Sequence, residues 1–188
     1  MNDMDWYEVT EGAGILQGDI LFRCPVFQPD KALQWPLALD NQQGFRVKAL
    51  DLVVMTQSCD LENDKVQEVL LARLVSWADV VRGELAKGNQ SVKASKFRKI
   101  LVEGGSPALS LLHKRIDTPE LDWSVVDFHW LHTLPKPYLS AFAASSGPRL
   151  RLRSPYREHL AHAFARYFMR VGLPHDARAS EKEGDVKP

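Results

Sequence analysis

Residues 50–61, Leu-Asp-Leu-Val-Val-Met-Thr-Gln-Ser-Cys-Asp-Leu, constrain this chain more than any other stretch. Leu52, Val53, Val54 and Met55 are consecutive apolar residues, and the two valines are β-branched. Such a run reads as a strand covered on both faces, because a half-exposed strand would alternate. It passes into Thr56, Gln57, Ser58, Cys59 and Asp60 with no glycine or proline between. The polar run is therefore expected to begin while the sheet still holds the chain. Side chains at such a strand end are rigidly placed and open to a ligand.

The neighbouring elements follow from the same reading. Gly18-Asp19 is a turn signal directly before the apolar residues 20–27, the first expected strand. Pro25 bends that strand or puts it at an edge, since proline cannot donate to a ladder. Residues 1–14 read as a loose lead-in and 29–44 as a loop. Residues 45–56 and 66–75 are the second and third strands. Ser76 caps a helix over 76–87 that Gly88 ends, and 91–103 is a second helix. Strands follow at 108–116 and 123–131. In the latter, Phe128 and Trp130 mark the core face, so Asp127 and His129 share the other one. Residues 138–144 read as a short strand or turn, and 149–153 as a brief edge strand. Ser154 and Pro155 open the clearest helix, 155–171. Its core stripe is Tyr156, Leu160, Ala163, Phe164, Tyr167 and Val171. Residues 175–188 are polar and charged and are expected to be a disordered tail. The sum is a single α+β domain over residues 1–174, with a helical insertion near 76–104.

Composition narrows the partners. The formal net charge is zero, so attraction to nucleic acid has to come from local patches. Cys24 and Cys59 are the only cysteines, which fits a reducing cytoplasm and no disulfide framework. Residues 1–11 are acidic and predict no signal peptide. No run approaches the roughly 20 apolar residues of a membrane span, so no membrane partner is expected.

The chemical candidates start at the strand end. Cys59 with Asp60 is the sharpest catalytic candidate: Cys59 is a nucleophile if a histidine activates it, with His129 or His132 as the base and Asp127 its orienting group. The competing reading makes Cys59 a small buried hydrophobe and Asp60 a cap on the next turn. Gln57 and Ser58, with Asp127 and His129, are the candidate ligand-binding set, or they pair with the surrounding loops. Arg149, Arg151, Arg153 and Arg157 form a locally basic block suited to a phosphate backbone, or a charged edge strand facing water. His159, His162, Arg166 and Arg170 fall on one arc of the last helix, beside its core stripe. Two histidines three apart suit a metal, but no third ligand stands out, so neither metal nor cofactor is expected. Glycine-rich phosphate loops and nucleophile elbows are absent from the sequence.

The Gly18-Asp19-Ile20 start, the Thr56-Gln57-Ser58-Cys59-Asp60-Leu61 block and the Ser154-Pro155-Tyr156-Arg157-Glu158-His159 block resemble an uncharacterised group of bacterial proteins. More distantly, the Gly-Asp start and the apolar second strand resemble the opening of the MazF/PemK toxins, over about the first 75 residues. That resemblance implies a small, strongly curved SH3-like β-barrel and RNA cleavage within toxin–antitoxin or phage-defence systems. It implies Arg46 and Thr56 as counterparts of the toxins' arginine and hydroxyl residue, although the Arg-Pro step of those toxins is missing here. Three functions are carried forward. The first is a PemK/MazF-like protein that interacts with RNA. The second is a non-catalytic accessory module that docks a partner protein and is also able to form a homodimer. The third is a cysteine-dependent hydrolase using Cys59.

Overall fold

The computed structural model describes residues 5–29, 44–88, 95–102 and 105–169. The expected loop interior at 30–43, the first turn expected for the second helix at 91–94 and the tail at 175–188 lie outside the described residues. So does the end of the last helix beyond Met169.

The architecture is α+β: one antiparallel sheet of seven strands in the order β1-β7-β2-β3-β4-β6-β5. The strands are β1 (Tyr7–Thr10), β2 (Asp19–Pro29), β3 (Phe45–Val54), β4 (Glu68–Ser76), β5 (Leu109–Leu112), β6 (Ser124–Pro135) and β7 (Arg149–Leu152). The helices are α1 (Ser58–Glu62), α2 (Trp77–Ala86), α3 (Ser95–Val102), α4 (Lys136–Ser145) and α5 (Tyr156–Phe168). No helix among the described residues is long and apolar enough to cross a membrane.

The apolar run of β3 is explained by what covers it. Leu52 and Val54 face one core with Leu71, Leu61 and Leu139, so α1 and α4 close that side. Val53 and Met55 face another with Phe128, Leu150 and Leu160, under α5. A third cluster sets Phe97 and Leu101 of α3 and Trp77 and Val80 of α2 against Leu111 and Val125. Helices on both sides remove the reason for a polar face in the middle of the sheet. The expected stripe of α5 is its buried face: Tyr156, Leu160, Ala163, Phe164 and Tyr167 all pack on the sheet.

Two irregularities curve the sheet. In β2 the register shifts between Leu21 and Cys24, with Arg23 at φ 52°. Leu21 and Cys24 therefore face the same core although three positions apart. The carboxylate of Asp51 accepts the Arg23 N–H at 2.7 Å and holds the bulge. In β6 the register shifts between the pairs Arg73–Asp127 and Ala72–Leu131, so Phe128 stays in the core while His129 and Trp130 are exposed, and Trp130 does not share the core face expected for it. Pro25 causes no conflict, because β7 pairs only with Asp19 and Ile20 and leaves that flank of β2 unpaired.

Several expectations are corrected. The sheet is not closed into a barrel: β1 and β5 stand at opposite ends of the strand order. The Tyr7 hydroxyl donates to the His113 carbonyl at 2.6 Å, bringing the two ends near each other without strand pairing. The lead-in is not loose throughout, because Tyr7–Thr10 pairs with β7. Residues 149–153 are not an edge, since β7 lies between β1 and β2. Residues 138–144 are helical: Pro137 sits in the first turn of α4, where a missing N–H costs nothing, and Leu139 and Ala143 bury its inner face. Pro155, not Ser154, is the N-cap of α5. The polar run after β3 is not an extension of the strand, because Ser58–Glu62 turns into the short α1.

Candidate functional site

The polar run is largely used up in holding its own loop. The Thr56 hydroxyl accepts the Leu70 N–H at 2.7 Å, and the Ser58 hydroxyl accepts the Gln17 N–H at 3.2 Å. Gln17 in turn donates its side-chain amide to the Met55 carbonyl at 3.1 Å. Gln57 is the N-cap residue of α1 but makes no side-chain cap. Cys59 is exposed, so it is not the buried hydrophobe considered above. Its Sγ lies 3.6 Å from Gln57 Oε1 and 3.7 Å from Asp60 Oδ1, both acceptors. Asp60 lies 3.8 Å from Lys65 Nζ. Among the described residues no histidine is hydrogen-bonded to Cys59.

Asp127 and His129 do meet. Asp127 Oδ1 accepts the His129 N–H at 3.0 Å and lies 2.8 Å from its Nδ1. The β6 bulge makes this possible by bringing the two together locally, and the His129 ring meets Tyr167 edge-on with centroids 5.7 Å apart. The pair is thus tied to α5 and not to Cys59. His132 lies beside Leu71, its Nε2 buried without a hydrogen-bond partner. Burial, and then the Arg73 charge, hold its pKa below the ordinary value. Arg46 stands near the first residue of β3 and Thr56 beyond its last, with roughly 30 Å of extended chain between them. The expected arginine–hydroxyl pair is therefore not assembled along this strand.

The basic block is also spent on the fold. Asp19 is 0% exposed and Arg149 4%, with Arg149 Nε 2.8 Å from Asp19 Oδ2. Arg149 also donates to the carbonyls of Gly12, at 2.9 Å, and Gly14. Arg151, 12% exposed, donates through Nε to Asp19 Oδ1 and through Nη2 to Oδ2, the latter at 3.0 Å. The Gly18-Asp19 signal and the alternating arginines are thus two halves of one buried ion cluster, 130 positions apart in sequence. Arg153 pairs with Asp5 at 3.2 Å and Arg157 with Glu158 at 2.8 Å. Arg157 also holds the Glu158 carboxyl below its ordinary pKa. None of the four expected nucleic-acid contacts presents an unpaired guanidinium.

A concave site lies elsewhere, between α5 and the outer edge of β5. It encloses about 890 Å³. Leu101, Leu109, Leu112 and Leu160 give it apolar walls, and Trp6, Trp123 and Tyr156 give it aromatic ones. Trp6 stacks on Tyr156 with centroids 4.0 Å apart and approaches His113 at 5.7 Å, which builds one end. His159, His162, Arg166 and Met169 project from α5 along the arc beside its core stripe. Among the described residues no Asp or Glu lines the groove. His162 and Arg166 make no hydrogen bond or ion pair among the described residues.

The sequence shows the His159-His162-Arg166 arc, which reads as a solvated or partner-facing basic edge. It does not single out Trp6, Trp123 and the β5 leucines, whose grouping depends on tertiary packing. Among the described residues no group of three or more metal-ligating side chains is assembled. No family model matches the chain, and no curated protein matches it either.

Proposed function

We propose that this protein is a non-catalytic binding module whose groove between α5 and β5 receives a ligand with an apolar body and an anionic end. One observation carries the reading: an apolar concavity of about 890 Å³ in which, among the described residues, Arg166 and His162 make no hydrogen bond or ion pair and no carboxylate joins the lining. That volume and lining are typical of sites that bury most of a ligand. The exposed Cys59 and the stitched residues around it then serve the loop, and a cytoplasmic location belongs to the same proposal. The test uses 1-anilinonaphthalene-8-sulfonate, an aromatic anion, titrated into the native protein at low concentration. Saturable enhancement that weakens several-fold in Arg166→Glu and is unchanged in Cys59→Ala supports the reading. Absence of saturable binding by the native protein sinks it.

A second reading keeps the SH3-like kinship and an RNA-cleaving toxin or defence role. It is favoured by Arg46 and Lys48, which stand exposed on the outer half of β3. Its test is labelled single-stranded RNA incubated with the protein at low salt, beside Arg46→Ala. Intact RNA at protein excess removes it.

A further inference from the structure

Resting on the binding-module reading, we infer that the groove's occupant is an extended peptide ending in a free carboxylate, which adds as a strand beside β5. The floor of the groove is the outermost strand of the sheet. The Phe128 N–H donates to the Ala108 carbonyl at 2.9 Å, so Ala108 turns its peptide groups toward β6. Antiparallel alternation then turns Leu109, Leu111 and His113 outward. The Leu109 N–H is taken by the Ser106 carbonyl at 3.1 Å, and the His113 carbonyl by the Tyr7 hydroxyl. Among the described residues the Leu109 carbonyl, both peptide groups of Leu111 and the His113 N–H are left without a backbone partner on that edge.

These groups select the kind of ligand. An acyl chain or a flat ring covers apolar walls but offers no donors and acceptors at strand spacing. An extended backbone offers both, and the unpaired edge of β5 lacks the lysines, prolines and bulges that usually discourage strand addition. Leu112 and Leu160 line one side of the edge, and Leu101 and Leu111 line the other. Alternate side chains of the added strand therefore meet apolar walls on both sides. The negative end is set by Arg166 and His162, which among the described residues have no partner and no acid beside them in the lining. A guanidinium binds a carboxylate through two parallel hydrogen bonds, so a chain end suits it better than an internal amide.

The experiment presents an array of random hexapeptides, tethered through their N-termini, to the full-length protein. One copy of the array carries free carboxylates and the other carboxamides. Binders are resynthesised and titrated in solution by tryptophan fluorescence, since Trp6 and Trp123 line the groove. The expected result is apolar binders on the free-acid array, weakened at least tenfold by amidation and by Arg166→Glu. N-methylation of the peptide amide that faces the Leu111 carbonyl lowers affinity by a similar factor. Equal binding of acid and amide, or insensitivity to N-methylation at every position, overturns the inference. Saturable binding of the anilinonaphthalene sulfonate with no peptide bound overturns it too, while leaving the binding-module reading standing. Neither probe binding overturns both.

Discussion

Replacing Asp19 with asparagine separates the two meanings of the arginines on β7. The carboxylate is 0% exposed and accepts from Arg149 Nε, from Arg151 Nε and Nη2, and from the Leu16 N–H. Asparagine keeps the shape, but its amide group turns donors toward a guanidinium and removes the charge that balances Arg149 inside the fold. Breaking a buried pair from one side costs about 3–5 kcal/mol, because the surviving charge stays desolvated. For a chain of this size that lowers the melting midpoint by roughly 6–20 °C. The assay is urea unfolding followed by tryptophan fluorescence. Replacing the whole cluster, with Asp19→Leu, Arg149→Met and Arg151→Met together, is expected to cost less than Asp19→Asn alone, since no buried charge is left unpaired. A loss under about 1 kcal/mol for Asp19→Asn would refute the assignment of this cluster to the core. So would a native-like melting curve for Arg149→Met combined with lost RNA binding.

Three further outcomes follow from the geometry. Iodoacetamide near neutral pH is expected to label Cys59 alone in the native protein, because burial seals Cys24 and pushes its thiol up to about 11; comparable labelling of Cys24 contradicts its place between β3 and α4. This difference arises from burial alone, so fast labelling of Cys59 is no sign of catalysis. His132 has its pKa lowered by burial and by Arg73, so below the ordinary 6.5 the unfolded chain takes up a proton that the folded one resists. Stability measured by urea midpoint should therefore decline as pH falls through that value, and His132→Gln should flatten the decline. Gly18 has φ +84° and a Cβ there would stand 3.0 Å from Leu152 Cβ, so Gly18→Ala should lose more than about 1 kcal/mol of stability in the same assay.

Much of the architecture was legible because local signals and tertiary packing agree. The apolar run at 52–55, the Ser76 cap on α2, whose hydroxyl accepts the Asp79 N–H, and the stripe of α5 each specify an element that the sheet then uses. Where the reading failed, the missing term was a neighbour. Arg149 and Arg151 alternate with apolar residues as on a charged edge. They lie inside because Asp19, far away in sequence, supplies their counter-charge. The turn at Ser58 was hidden for a similar reason. No glycine or proline marks it, and α1 is held there partly by the Gln17 N–H on the Ser58 hydroxyl.

The candidate site was less legible than the fold, and the cause is its composition from four separated regions. Trp6 precedes β1, residues 101–102 and 106–113 belong to the end of α3 and to β5 with its flanks, Trp123 precedes β6, and residues 156–169 belong to α5 and its C-cap. Helical periodicity identifies the arc of α5 that touches the sheet, yet says nothing about the arc beside it. His159, His162 and Arg166 read as polar residues on a wet face, which is the usual fate of such an arc. What changes their meaning is the end of the strand order. Because among the described residues β5 has no further strand beyond it, α5 overhangs an edge instead of a continued sheet, and its flanking arc becomes a wall. The open sheet and the groove are therefore one feature: closing the barrel would pair the outward groups of Leu109 and Leu111 and abolish the site. A substitution that blocks that edge without touching α5 discriminates between them. Leu111→Pro removes the outward N–H at the centre of the edge while leaving Arg166 in place, and it should abolish peptide addition while sulfonate binding persists.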